Sequence, residues 1–89
     1  MSESVEQGAE VAASGPTAGA LLAYLRESAG VHIDALAGAL KVPVGRLEAL
    51  EADRYDSFPD AVFMRALAAS VCRVLKADPA PVLALLPHG

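Results

Sequence analysis

The sequence predicts one small all-α domain of five helices, and three observations carry that prediction. Apolar residues recur at the spacing of a single helix face in segment after segment. Hydrophobic residues make up 54% of the chain but aromatics only 4%, so alanine and aliphatic side chains build the interior. Glycine and proline fall between the periodic segments, at Gly30, Pro43, Pro59 and Pro81, where they stop or open helices. A chain of 89 residues fits one domain, with a core that is marginal unless it packs well or meets a partner.

Residues 1–16 are rich in Ser, Gly, Ala and Glu and show no sustained periodicity, which predicts a disordered tail; residues 17–89 form the domain. Thr17 is placed to cap a first helix over Ala18–Ala29, with Leu22, Leu25 and Ala29 on one face and Gly30 as its stop. His32 takes the next cap position, where Ser, Thr or Asp serves better, and Asp34 partly compensates through the helix dipole. The second helix runs to Leu40. Pro43 opens a third that ends near Asp53. Between Val31 and Glu51 this gives two short amphipathic helices joined by a tight turn, a helix-turn-helix, with Leu36, Ala37, Leu40, Val42, Leu47 and Leu50 inward. Ala37 supplies the small residue that lets the pair approach. Gly38 and Gly45 each lower helix propensity by about 1 kcal/mol relative to alanine, so this pair leans on its neighbours.

The loop RYDSFPD follows, with Phe58 expected in the core. The fourth helix, over Asp60–Lys76, divides into three sectors at 100° per residue. Met64, Ala68, Val71, Cys72 and Leu75 form an apolar core face; Arg65, Ala69, Arg73 and Lys76 form a basic stripe. Phe63, Ala66, Leu67, Ser70 and Val74 form a second, mostly apolar face, which needs a cover or is a binding surface. A short last helix spans Pro81–Leu86.

Composition narrows function. Net charge is −4, and with Glu3, Glu6 and Glu10 set aside, residues 17–89 carry seven bases against eight acids. A domain that grips phosphates usually has a basic face and a pI above about 9; here the pI is near 4.9. No apolar run approaches the ~18–20 residues that cross a bilayer, and the N-terminus lacks a signal-peptide pattern. Cys72, the only cysteine, excludes an internal disulfide and reads as a small buried hydrophobe. The expectation is a cytosolic chain. His32 and His88 have no companion ligands, so neither a metal nor a cofactor is expected, and no nucleophile–base pair or phosphate-cradling loop points to an enzyme.

The segments LLAYLRESAGV and LAGALKVPVGRLEALEADRYDSFPDAVFMRALAASVCRVLKADPAPVL resemble the N-terminal cytoplasmic domain of the RodZ family, a variant of the Cro/C1-type helix-turn-helix in the Xre superfamily. The likeness covers about residues 17–86. It implies a domain that binds the actin-like filament protein MreB, in relatives carried on a single-pass inner-membrane anchor. For this chain it implies either a cut-out domain or a soluble relative, with membrane contact only where a parent protein continues into an anchor.

The resemblance also assigns residues. Arg26 and Glu51 match positions of a partly buried ion pair between the first and third helices, the alternative being two solvated charges. Ile33, Val44, Gly45, Arg46 and Ala49 match or adjoin positions that touch DNA in DNA-binding relatives. Direct readout needs donors and acceptors at base edges; Arg46 and Arg54 remain, flanked by Glu48, Glu51 and Asp53, whose charges repel phosphates, and Arg46 is expected to be solvated and paired with Glu48 or Asp53. Glu48, Glu51, Asp53 and Asp56 read as an acidic rim with only Glu51 turned inward. Phe63 and Leu67 match the filament-binding aromatics, with leucine replacing the second, and Ser70, Val74 and Arg65 complete the face. Packing of Phe63 and Leu67 under the tail or last helix is the competing reading. The leading expectation is therefore a filament-docking adaptor working through the fourth helix, with a DNA-binding regulator as the alternative and self-association through the spare apolar face as a third.

Overall fold

The computed structural model describes residues 16–88; the expected tail, residues 1–16, lies outside them except for Pro16. The helices are α1 (Ala18–Ser28), α2 (Ile33–Leu40), α3 (Val44–Glu51), α4 (Ala61–Val74) and α5 (Ala80–Leu85), with a 3-10 turn at Tyr55–Ser57. Among the described residues there is no strand. The chain is all-α, as its periodicity predicts, and each helix ends within two residues of the expected boundary.

Local chemistry explains the starts and stops. The Thr17 hydroxyl accepts from the Ala20 N–H at 3.1 Å, and an Asp60 carboxylate oxygen accepts from the Phe63 N–H at 2.7 Å. His32 and Pro43, by contrast, give α2 and α3 no side-chain cap. Four helix ends share one design, in which a left-handed residue is followed by an amide that reaches back to a carbonyl five residues earlier. Those bonds run from Val31 to Arg26, Val42 to Ala37, Arg54 to Ala49 and Ala77 to Cys72, at 2.8–3.1 Å. The left-handed residues are Gly30, Lys41, Asp53 and Lys76. Only the first is glycine.

The core gathers Leu22 of α1, Leu36 and Ala37 of α2, Leu47 and Leu50 of α3, Phe58, Met64, Leu67, Val71 and Cys72 of α4, and Val82 and Leu86 at the C-terminal end. Each fully buried leucine contributes about 1.5–3 kcal/mol of transfer free energy. α1 packs on α3, α4 and α5, while α2 packs on α3 and α4, so α4 meets the helix-turn-helix pair through α2. Burial, and then the charge of Asp78, push the Cys72 thiol above its ordinary range, consistent with a packing role.

Gly19 is a close-approach point. A methyl group there would overlap the Glu51 carbonyl oxygen and lie 2.6 Å from the Leu50 carbonyl oxygen and 2.7 Å from an Asp53 carboxylate oxygen. The N-terminus of α1 thus sits directly on the C-terminus of α3. Asp53 closes this joint rather than joining a solvated acidic rim: its carboxylate accepts from the Gly19 N–H at 2.9 Å and from the Tyr55 hydroxyl at 2.6 Å. One of the orphan amides at the start of α1 is so satisfied by a residue from another helix. Burial raises the Asp53 pKa, but the bonds from Tyr55, Thr17 and Gly19 together outweigh it and leave the carboxyl below its ordinary range. The Tyr55 hydroxyl is driven upward by burial first, then by its bond to Asp53 and by that carboxylate's charge.

Candidate interaction surface

The Arg26–Glu51 pair forms as the family pattern implies. Arg26 donates from Nε to Glu51 Oε2 at 2.7 Å and from Nη2 to Oε1 at 3.1 Å, a two-pronged contact, and from Nη1 to the Val31 carbonyl at 3.0 Å. The two side chains are only 14% and 15% exposed. The pair ties α1 to α3 and orders the start of α2. A shallow recess of about 380 Å³ opens beside it, lined by Arg26, Glu27, Gly30, Val31 and His32. The guanidinium there already holds Glu51 and lies 3.6 Å from Glu27, so it is committed to carboxylates of this chain.

The positions matched to DNA reading do not form a reading face. Ile33 and Val44 are half-buried against the core, Gly45 is exposed but has no side chain, and Ala49 is buried at 6% exposure. Ala49 is therefore corrected from a surface position to a core position: it is buried along with Leu47 and Leu50 on α3. Arg46 is a second correction. It pairs with neither Glu48 nor Asp53; its Nη1 donates to the Ser57 carbonyl at 2.8 Å. Its guanidinium carbon lies 5.6 Å from the Phe58 ring centre and 5.3 Å from that of Phe63, within cation–π range. The two rings are tilted by 41° with centres 6.0 Å apart. The one donor-bearing side chain among these positions is thus drawn down onto α4.

On α4 the predicted second face splits. Leu67 is buried at 6% exposure and joins Met64 and Val71, so it is not presented to a partner. The core arc of α4 is wider than the sector drawn for it, because the α2–α3 turn also leans on this helix. Phe63 at 38% and Val74 at 41% are exposed, and Ser70 is half-buried. Val62, at 76%, adds apolar surface that the sector reading did not select. Between α4 and the α2–α3 turn runs a groove of about 200 Å³ lined by Leu40, Val42, Phe63, Ala66, Leu67 and Ser70, with Leu67 contributing from beneath.

The basic stripe is likewise divided. Arg65 is not a rim cation. Its Nη1 donates to the Leu83 carbonyl at 3.0 Å, with longer contacts of 3.4 Å to the carbonyls of Leu86 and Pro87. It closes the C-terminal end of α5, where cations complement the free carbonyls. Arg73 is exposed, and its Nη2 donates to Ser70 Oγ at 2.9 Å, setting a positive charge at the far end of the groove. Lys41 and Lys76 are also exposed.

A family model described as a helix-turn-helix domain matches residues 21–82, from α1 into α5, a span that includes the ion pair, Arg46 and the groove. No curated protein and no solved structure matches the chain.

Proposed function

The chain belongs to this helix-turn-helix domain family, and from that premise we propose that it is a non-enzymatic protein-interaction domain that docks an actin-like, MreB-type bacterial cytoskeletal filament in cell-shape control. The docking surface is the Phe63 end of α4 with the groove beside it, working at the cytoplasmic face of the cell membrane or in the cytosol. One observation carries the reading: α4 presents exposed Phe63 and Val62 beside an apolar groove, while of the α3 positions matched to base reading only Arg46 bears a donor, and it is turned toward Ser57 and the Phe58 and Phe63 rings.

The surface that remains is apolar at its centre and cationic at its edge. Phe63 and Val62 present exposed apolar area, and an aromatic anchor of this kind typically carries about 2 kcal/mol or more of binding free energy. Arg73, Lys76 and Lys41 are exposed cations that would steer an acidic partner, and they act mainly on association rate and salt dependence. Arg65 and Leu67 support this surface from below and do not touch the partner.

The test is co-pelleting of the chain with polymerised MreB, wild type beside Phe63→Ala, together with a DNA titration at low salt. The expected result is pelleting that Phe63→Ala sharply weakens, with only weak DNA binding. Tight, salt-sensitive DNA binding without pelleting would replace this reading with that of a DNA-binding regulator.

A further inference from the structure

Building on the docking reading above, we infer that Arg46 and Phe63 act as one composite anchor for a partner segment that carries a carboxylate beside an apolar side chain. The apolar group seats on the exposed flank of Phe63, toward Leu40 and Val42, and the carboxylate is received by Arg46.

The argument starts from the donor count. A guanidinium carries five N–H groups. Among the described residues Arg46 uses one hydrogen bond, from Nη1 to the Ser57 carbonyl, and takes part in no ion pair. Among the described residues no acid forms an ion pair with it: Asp60 caps α4 through the Phe63 N–H, and Glu48 and Asp56 are exposed. Its guanidinium carbon lies 5.6 and 5.3 Å from two ring centres and its Nη1 is bonded to the Ser57 carbonyl, so the side chain is positioned before a partner arrives. Such fixing reduces the ordering cost that a free surface arginine meets on binding. The remaining N–H groups lie at the edge of a half-exposed aromatic, and a planar donor fork suits a carboxylate. Arg73, bonded to Ser70, places a second cation at the opposite end of the groove, so both ends favour negative charge. The α3 face that reads bases in DNA-binding relatives is here the flank of a protein-docking site.

The experiment is co-pelleting with polymerised MreB across a range of salt concentrations, for wild type, Phe63→Ala, Arg46→Gln, Arg46→Lys and the Phe63→Ala/Arg46→Gln double variant, with a thermal melt of each. Phe63→Ala is expected to weaken binding by about 30-fold. Arg46→Gln is expected to weaken it by about 10-fold and to make the salt dependence shallower, which loss of ring packing alone does not do. Arg46→Lys keeps the charge and the salt dependence but loses the planar donor fork, so it falls between; it also serves as the decisive variant should glutamine lower the melt. The double variant should bind little worse than Phe63→Ala, because the two residues act together. Wild-type affinity in Arg46→Gln, or weaker binding with an unchanged salt dependence, overturns this inference and leaves the docking surface standing. A wild-type chain that stays in the supernatant overturns the docking reading and the composite anchor with it.

Discussion

Replacing Gly19 by alanine tests the joint between α1 and α3 most directly, because helix propensity and tertiary packing forecast opposite signs. Propensity alone favours alanine by about 1 kcal/mol inside a helix. Packing opposes it. The added methyl would overlap the Glu51 carbonyl oxygen and crowd two further oxygens, at 2.6 Å from Leu50 and 2.7 Å from Asp53. Two of these are backbone atoms, so relief requires α1 to lift from α3. Overpacking of this kind costs about 1–3 kcal/mol, and lifting α1 stretches the Gly19–Asp53 hydrogen bond, a charge-assisted contact worth about 1.5–3 kcal/mol. Set against the propensity gain, the net expectation is a loss of about 2–4 kcal/mol. For a domain of this size that lowers Tm by about 10–25 °C. The assay is a thermal melt followed by circular dichroism, supported by urea unfolding, with Gly38→Ala as the internal control. Nothing lies within 4 Å of a methyl group at Gly38, so there the same substitution should stabilise by about 0.5–1 kcal/mol. A Gly19→Ala protein that melts at or above the wild-type temperature would refute the reasoning.

Other perturbations separate the remaining structural roles. Arg26→Ala leaves Glu51 partly buried without its partner and should cost about 3 kcal/mol, the low end for a buried pair because both groups keep some exposure; an unchanged melt would show the pair to be inert. Leu67→Ala should destabilise by about 2–4 kcal/mol as a core truncation, whereas Phe63→Ala should lose partner binding with a much smaller change in Tm. Reversal of those two outcomes in paired melts would exchange their assigned places. Asp53 has a depressed folded pKa, so its stabilisation is present above the ordinary carboxylate range and is lost as the pH falls through the lowered value. The Tm gap between wild type and Asp53→Asn should therefore be widest near neutrality and shrink in acid; a gap that widens on acidification contradicts the assignment.

The sequence by itself determined the class, the order and the limits of the helices. These depend on short-range physics: a period near 3.6 residues, cap hydroxyls and carboxylates at Thr17 and Asp60, and stops at glycine and proline. The Arg26–Glu51 pair was legible through its family pattern. What only the tertiary structure decided lies at the edges of apolar arcs and at the tips of long or charged side chains. Leu67 sits on an arc boundary, and the approach of the α2–α3 turn to α4 sends it inward while Phe63, one turn earlier, stays half-exposed. Ala49 is likewise buried on α3, which packs against α1, α2 and the Tyr55–Ser57 turn. Arg46 and Arg65 could each have met solvent, a neighbouring carboxylate or a distant carbonyl, and their partners lie 11 and 18 residues away. Asp53 and Gly19 meet across 34 residues of chain. No local pattern encodes such meetings, because they depend on where two separately formed helices come to rest against each other.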